Sequence, residues 1–158
     1  MAADRGDVLT ELNVLALENQ VCFALTVAAR TTVALYKPIL EPLGLTHPQY
    51  LVMLALWEEH PRTLRSLAEA LRLEPATLSP LLKRLEATGH VRRERSATDE
   101  RALQVTLTEH GLRLREIAET IPERVARTLD MSPASLIALR DNLNAVIEAS
   151  TAPSRELP

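Results

Sequence analysis

The most reactive side chain in this sequence is that of Cys22, the one cysteine among 158 residues. A thiol attacks as its thiolate, so a reactive cysteine needs hydrogen-bond donors or positive charge that draw its ionisation down from about 8.5. A two-electron oxidant takes such a thiolate to a sulfenic acid, which a small thiol then turns into a mixed disulfide with loss of water. With no second cysteine in the sequence, neither an internal disulfide nor a resolving partner within the chain is available. The competing reading is a small apolar filler, the usual role of a lone cysteine on an apolar helix.

The second candidate chemistry is electrostatic. From Pro61 to Arg95 there are eight Lys/Arg (Arg62, Arg65, Arg72, Lys83, Arg84, Arg92, Arg93, Arg95) against four Glu, a local charge of +4, whereas the whole chain carries −3. A basic middle between acidic arms fits a surface that attracts phosphate, because local potential governs that attraction. A merely solvated charged surface is the alternative. Four scattered histidines and one cysteine show no metal-ligand spacing, so no metal site and no cofactor are expected. No recognisable catalytic cluster surrounds Cys22, so an enzyme such as a thiol peroxidase is not expected.

The elements that must position these residues are mainly helical. Hydrophobic residues make up 46%, charged residues 25% and aromatics 3%, with only four glycines, a composition that favours helices over strands. No run approaches the roughly 20 apolar residues needed to cross a bilayer. The opening MAADRGDVLTELN has no cationic segment leading into an apolar run. A cytoplasmic protein without membrane contact is expected.

From Leu12 to Leu40, Leu17, Val21, Leu25, Ala28, Leu35 and Ile39 fall at helical spacings, which predicts one long helix, frayed or bent near Pro38. Gly44 stops it. Thr46 and Gln49 have the form of a capping box opening a second helix to Glu59, whose run YLVMLALW is apolar on all sides and expected to be buried. Thr63 caps a third helix with Leu64, Leu67, Ala68 and Leu71 on one face; a fourth follows with Leu78, Leu81, Leu82 and Leu85, ended by Gly89. These two helices form a helix-turn-helix. HVRRERS and RALQVTLT then read as two strands around the turn ATDE, a wing. Thr108 caps a long fifth helix with the seam Leu114, Ile117, Ala118, Ile121, Val125 and Leu129, bent at Pro122. Ser132-Pro133 opens a sixth with Leu136, Leu139, Leu143, Val146 and Ile147 along one side. The terminal helices carry more apolar stripe than one small core covers, which points to a dimer interface; an intramolecular helical bundle is the alternative.

The expected fold is therefore a winged helix-turn-helix with long terminal helices forming a dimerisation region. Its parts are an N-terminal dimerisation helix at 1–45, a DNA-binding region at 46–108, C-terminal dimerisation helices at 109–150 and a disordered tail at 151–158. With the leucines of the fourth helix facing the core, Ala76, Pro80, Lys83 and Ala87 fall on the far side, flanked by Thr77, Ser79 and Arg84. Small residues let this face approach the major-groove floor, while hydroxyls and cations reach base edges and phosphates. Pro80 leaves two options open: a helix that starts late with Ser79 as cap, or one that bends. Arg93 and Arg95 on the wing suit phosphate or minor-groove contact, with Arg101 past the turn and Asp99 holding Arg101 or capping the turn.

The stretches THPQYLVMLALWEE and TLSPLLKRLEATGHVRRERSATDERALQVTLTEHG resemble the multiple antibiotic resistance regulator (MarR) family, including its wing pattern D-x-R at Asp99 and Arg101. LENQVCFAL (17–25) and LYKPIL (35–40) resemble the organic hydroperoxide resistance regulators within it. The match spans Leu17 to Arg115. The resemblance implies a homodimeric repressor on a pseudo-palindromic operator, with organic hydroperoxide and a low-molecular-weight thiol as effectors of Cys22. It also implies that tyrosines of the opposite subunit contact the sulfur, one of them matching Tyr36. Fourteen residues along one helix separate Cys22 from Tyr36 by roughly 21 Å, so only a partner chain or a sharp fold-back brings them together. Thr26 and His47 stand where that group commonly has tyrosine; an imidazole at His47 either replaces a phenol as donor or proton carrier, or is simply a residue at a helix start. Glu74, Pro75 and Ala76 depart from the group's usual Asp-Ser-Gly opening of the recognition helix. The alternative function is a repressor released by a small aromatic or carboxylate ligand bound between the dimerisation and DNA-binding regions, with Cys22 structural.

Overall fold

The computed structural model describes residues 13–96 and 102–151. The expected wing turn ATDE, Asp99, Arg101, the segment 1–12 and the tail beyond Thr151 lie outside the described residues.

Helix α1, Val21–Leu40, follows a 3-10 turn at Leu17–Asn19. The expected start at Leu12 is thus too early, because Gln20 is extended (φ −90°, ψ 117°) and separates the two. Pro38 is accommodated within α1. The chain then tightens into a second 3-10 turn, Glu41–Leu43, ended by Gly44 in the left-handed conformation (φ 69°) that glycine adopts without a Cβ clash. Helix α2, His47–Glu58, opens on the capping box read from Thr46 and Gln49: the Gln49 N–H donates to Thr46 Oγ1 (3.5 Å) and the Thr46 N–H to Gln49 Oε1 (2.8 Å). Tyr50, Val52, Met53, Ala55, Leu56 and Trp57 are buried. Leu51 and Leu54 are exposed, however, so α2 is central without being buried on every side.

Thr63 caps α3, Leu64–Leu71, its Oγ1 accepting from the Ser66 N–H. Helix α4, Pro75–Ala87, contains Pro80 in its interior, which decides the question left open by the sequence: the helix does not start late. Ala76, whose carbonyl loses the bond Pro80 cannot make, lies on the exposed face, where water can serve it. The Thr77 and Leu78 amides bond the Glu74 carbonyl, anchoring the first turn. Gly89 (φ 74°) closes the helix as expected.

The wing strands are β2, Val91–Arg95, and β3, Leu103–Leu107, paired antiparallel from Val91↔Leu107 to Arg95↔Leu103. A third strand, β1 at Arg62–Thr63, pairs with the other edge of β3, giving the order β1-β3-β2. Two residues show no alternation, so this strand left no trace in the sequence pattern. The long fifth helix is two helices, α5 (Glu109–Ala118) and α6 (Ile121–Leu129). The chain breaks at Glu119–Thr120, and Pro122 sits in the first turn of α6, where its missing N–H costs nothing. Helix α7 spans Pro133–Thr151.

The core gathers Met53 and Leu56 of α2, Leu67 of α3, Leu78, Leu82 and Leu85 of α4, Val91 and Val105 of the wing base, and Leu114, Ile121 and Val125 of α5 and α6; Leu81 is only partly buried. Helix α7 has no buried residue, and Val21, Phe23, Ile137, Leu139, Val146 and Ile147 are exposed. Among the described residues these apolar side chains are not packed into an intramolecular bundle.

Two contacts hold α4 and the wing in place. The first is a corner at Gly89–His90. Thr108 Oγ1 donates to the Gly89 carbonyl (2.6 Å) and accepts from the Gly111 N–H (3.1 Å), the Thr108 N–H donates to the His90 carbonyl (3.2 Å), and the buried Trp57 indole donates to the Gly111 carbonyl (2.8 Å). A Cβ on Gly111 would stand 2.2 Å from the His90 carbonyl oxygen. The second is a brace between α4 and β2. The carboxylate of Glu86 accepts from the Arg93 backbone N–H (2.9 Å), Nε (2.7 Å) and Nη2 (2.6 Å), both side chains being partly buried. These hydrogen bonds hold the Glu86 carboxyl below its ordinary 4.5.

Gly111→Ala is expected to destabilise the fold by about 1–3 kcal/mol, because backbone has to move to admit the methyl. Urea unfolding at one fixed protein concentration measures it, and a midpoint equal to wild type would contradict the close approach. The Glu86 brace carries a pH signature. The folded state binds the proton more weakly than the unfolded chain, so the stabilisation is present above 4.5 and is lost as pH falls through the lower folded value. Glu86→Gln is thus expected to lower the thermal midpoint at neutral pH, with the gap from wild type closing in acid; a gap that does not depend on pH would show that the charge is not what holds the wing.

Candidate nucleic-acid interface and thiol site

Burial of Leu78, Leu82 and Leu85 turns the opposite face of α4 outward, and Thr77, Ser79, Pro80, Lys83 and Arg84 are all exposed there. The Ser79 hydroxyl donates to the Pro75 carbonyl (3.0 Å), leaving its lone pairs outward. No ion pair among the described residues engages Lys83, Arg84 or Arg95, while Arg92 pairs with Glu94 on the exposed face of β2 (3.3 Å). Arg93 is placed differently from Arg95. It is partly buried and turned onto Glu86, so it joins the wing to α4 with its guanidinium instead of presenting it fully to solvent. Glu86 was not singled out from the sequence; a lone acid inside a basic run was the available signal. Together α4 and β2 present one cationic surface made of two elements rigidly tied to each other.

Cys22 lies in the first turn of α1 and is exposed. Thr26, four residues on, donates its hydroxyl to the Cys22 carbonyl (2.8 Å). Tyr36 and His47 do come together: their rings meet edge to face at 4.9 Å, Tyr36 lies 5.8 Å from Tyr50, and Tyr50 lies 6.3 Å from Trp57. Burial raises the Tyr36 phenol and lowers the His47 imidazole; Tyr50 is raised by burial and further by Tyr36. Both phenols and the imidazole are thereby held toward their neutral forms at physiological pH. Tyr50 was missed as a member of this cluster, since within YLVMLALW it read only as core. Because α1 runs unbroken from Val21 to Leu40, Cys22 and Tyr36 stay roughly 21 Å apart within one chain.

Beside His47 opens a groove of about 510 Å³ lined by Val33, Ala34, Lys37, Glu41 and the segment Gly44–Pro48. Its walls are mostly apolar, with the Lys37 and Glu41 charges at the same site. Among the described residues no cluster of three or more His, Cys, Asp or Glu side chains is placed to hold a metal ion, and no helix is long and apolar enough to cross a membrane.

The family model for the transcriptional regulator SarA/Rot matches residues 34–117. The chain is 41% identical over 132 residues to the organic hydroperoxide resistance transcriptional regulator of Bacillus subtilis strain 168, covering 84% of this chain and 90% of that one. It is 41% identical over 144 residues to the HTH-type transcriptional regulator TtmR of Methylorubrum extorquens strain PA1, covering 90% and 74% respectively. Among solved structures, overoxidized AbfR bound to DNA matches with a TM-score of 0.70 at 37% identity, over 84% of this chain and 93% of that one. Reduced AbfR bound to DNA matches with the same TM-score at 36% identity and the same coverage. A helix-turn-helix with a braced wing, matched over most of its length by such proteins, makes this chain a member of the SarA/Rot transcriptional regulators of the MarR type, in the organic hydroperoxide resistance group with a single cysteine.

Proposed function

We propose that the protein is a homodimeric repressor that binds a pseudo-palindromic operator and leaves it when Cys22 is oxidised by an organic hydroperoxide. The observation that carries this reading is an exposed thiol on a helix whose amino-terminal apolar residues Val21 and Phe23 are left exposed among the described residues, in a protein 41% identical to an organic hydroperoxide resistance regulator. Residues 1–45 and 109–150 pair two chains, and 46–108 carries each DNA-binding unit. Pairing sets two α4 helices at the separation of successive major grooves, about 34–36 Å. A cytoplasmic location belongs with this reading, as does the absence of an enzymatic turnover.

Thr77, Ser79, Pro80, Lys83 and Arg84 enter the major groove or reach its phosphates, and Arg95 reaches the backbone from the wing. Arg93 sets the wing's angle through Glu86. Asp99 and Arg101 are assigned to the wing by family resemblance.

The redox step balances without a cofactor. The Cys22 thiolate attacks the terminal oxygen of ROOH, an S–O bond forms and the O–O bond breaks, and the alkoxide leaves to take a proton as alcohol. Sulfur loses two electrons and the peroxide gains them. A low-molecular-weight thiol R′SH then displaces water from the sulfenic acid, giving a mixed disulfide. Apolar neighbours Phe23 and Leu25 favour an alkyl or aryl hydroperoxide over hydrogen peroxide. In the dimer, Tyr36 and His47 of the opposite chain face the sulfur, the imidazole standing in for a phenol as donor or proton carrier.

A second reading is favoured by the groove beside His47. Its apolar walls and Lys37 suit an aromatic carboxylate, whose binding would release DNA with Cys22 as a bystander.

Titrating an operator complex with cumene hydroperoxide, and separately with benzoate, separates the two. The first reading expects wild type to dissociate with peroxide and Cys22→Ser to stay bound; equal responses of the two proteins would end it. For the DNA surface, Lys83→Ala and Arg95→Ala are each expected to weaken binding and to reduce the salt-dependence slope by about 1. Unchanged affinity and slope in both would place the interface elsewhere.

A further inference from the structure

His90 is 2% exposed and takes no part in the thiol chemistry or the DNA surface. Its ring nonetheless touches three elements. Nδ1 lies 2.7 Å from Thr88 Oγ1, at the end of α4, and Nε2 lies 3.2 Å from the carbonyl oxygen of Leu43, in the turn that ends the α1 arm. The ring of His110, in the first turn of α5, packs 4.8 Å away. Gly44 lies against it too, since a Cβ there would meet His90 Cε1 at 3.8 Å.

The bonding pattern decides the tautomer. A carbonyl only accepts, so Nε2 carries the hydrogen and donates to Leu43, and Nδ1 of the neutral ring is the acceptor at 2.7 Å for the Thr88 hydroxyl, whose single proton it shares with the Arg84 (3.0 Å) and Leu85 (3.2 Å) carbonyls. Burial lowers the His90 imidazole below its ordinary 6.5 and the neighbouring His110 adds to that, against a raising contribution from the Leu43 bond. The ring is thus neutral at physiological pH. It is a rigid rod with a hydrogen bond at each end, one on the arm and one on the recognition helix.

Helix α1 itself packs on α2 and α6, whereas α4 packs on α3, α2 and β2. A direct polar bridge between the turn that ends α1 and the turn that ends α4 therefore stands out. If the arm shifts, either the end of α4 follows or the buried ring loses one of its two bonds.

We propose that His90 is the positioning residue of the switch, its imidazole passing a displacement of the Cys22-bearing arm from Leu43 to Thr88 and so to the recognition helix. The inference rests on the redox-switched reading for its biological meaning, while the mechanical link stands on the contacts alone.

His90→Phe keeps a ring of similar size and removes both bonds; His90→Gln restores one amide donor and one acceptor. Thr88→Val cuts the helix-side bond with His90 intact, together with the hydroxyl's contacts to the Arg84 and Leu85 carbonyls, which His90→Phe leaves in place. The DNA probe is an inverted-repeat duplex selected from random sequence by the wild-type protein. Affinities are compared before and after cumene hydroperoxide, with Cys22 oxidation followed by mass spectrometry. His90→Phe and Thr88→Val are expected to oxidise at Cys22 as wild type does, yet to shrink the ratio of reduced to oxidised affinity at least about fivefold, with His90→Gln recovering most of it. A purely structural role would lower both affinities together and leave the ratio alone, which would overturn the proposal.

Hydrogen exchange in the reduced protein supplies an arm that needs no peroxide. The Leu45 amide, bonded to the Leu40 carbonyl, reports the elbow, and the Gly89 and His90 amides, bonded to Glu86 and Leu85, report the end of α4. Both sets are expected to exchange faster in His90→Phe and Thr88→Val, and wild-type protection in His90→Gln is the expected rescue. Should wild type show no affinity change on oxidation, the redox reading fails, and unchanged exchange at either end in both variants sinks the mechanical link separately.

Discussion

The tight corner at Gly89 and His90 is the constraint on which the DNA-binding unit depends. Helix α5 approaches so closely that its third residue has to be glycine, and Thr108 uses its hydroxyl twice, once to cap α5 and once to hold the Gly89 carbonyl. Trp57 closes the same corner from α2 by donating to Gly111. A left-handed glycine, a threonine cap and a buried indole thus meet at one point. The recognition helix ends there and the wing begins there, so the angle between α4 and β2 is set by close backbone contact, with the buried Trp57 bond, expensive to leave unmade, behind it.

The electrostatics are layered onto that frame. One cation of the wing, Arg93, is given up to Glu86, which lowers the positive potential of the surface but orients β2 against α4. Lys83, Arg84 and Arg95 stay exposed, with no ion pair to another described residue. A small part of the charge thereby defines geometry, and the remainder supplies attraction. The division explains how a protein of net charge −3 carries a DNA-binding surface: only the local potential matters to a phosphate within a screening length of about 8–10 Å.

Cys22 and Tyr36 stay apart within one chain for a geometric reason. A continuous helix cannot fold Cys22 back onto Tyr36, while Tyr36 gathers His47, Tyr50 and, through Tyr50, Trp57 into an aromatic wall. The arms that hold Cys22 and α7 expose their apolar residues instead of packing them internally. In the dimer proposed above, a second copy of the chain would answer both deficits at once, covering the apolar faces and bringing a thiol to the wall. Sensing and dimerisation are in this way one structural problem.

Periodicity and capping chemistry made most of the architecture legible in the sequence. The Thr46–Gln49 box, the Thr63 and Thr108 caps, the leucine spacing of α3 and α4, the Gly89 stop and the two wing strands all rest on interactions within a few residues, which local pattern records. The outward face of α4 followed from the same spacing. Four features did not: the division of α5 from α6, the two-residue strand at Arg62–Thr63, the capture of Arg93 by Glu86 and the bridging role of His90. Pro80 remained undecidable in sequence because either outcome satisfied local rules, and the core packing of Leu78, Leu82 and Leu85 settled it. For the short strand, for Arg93 and for His90 the deciding partner lies on another element, and a one-dimensional pattern carries no information about which distant carbonyl or carboxylate a side chain will meet.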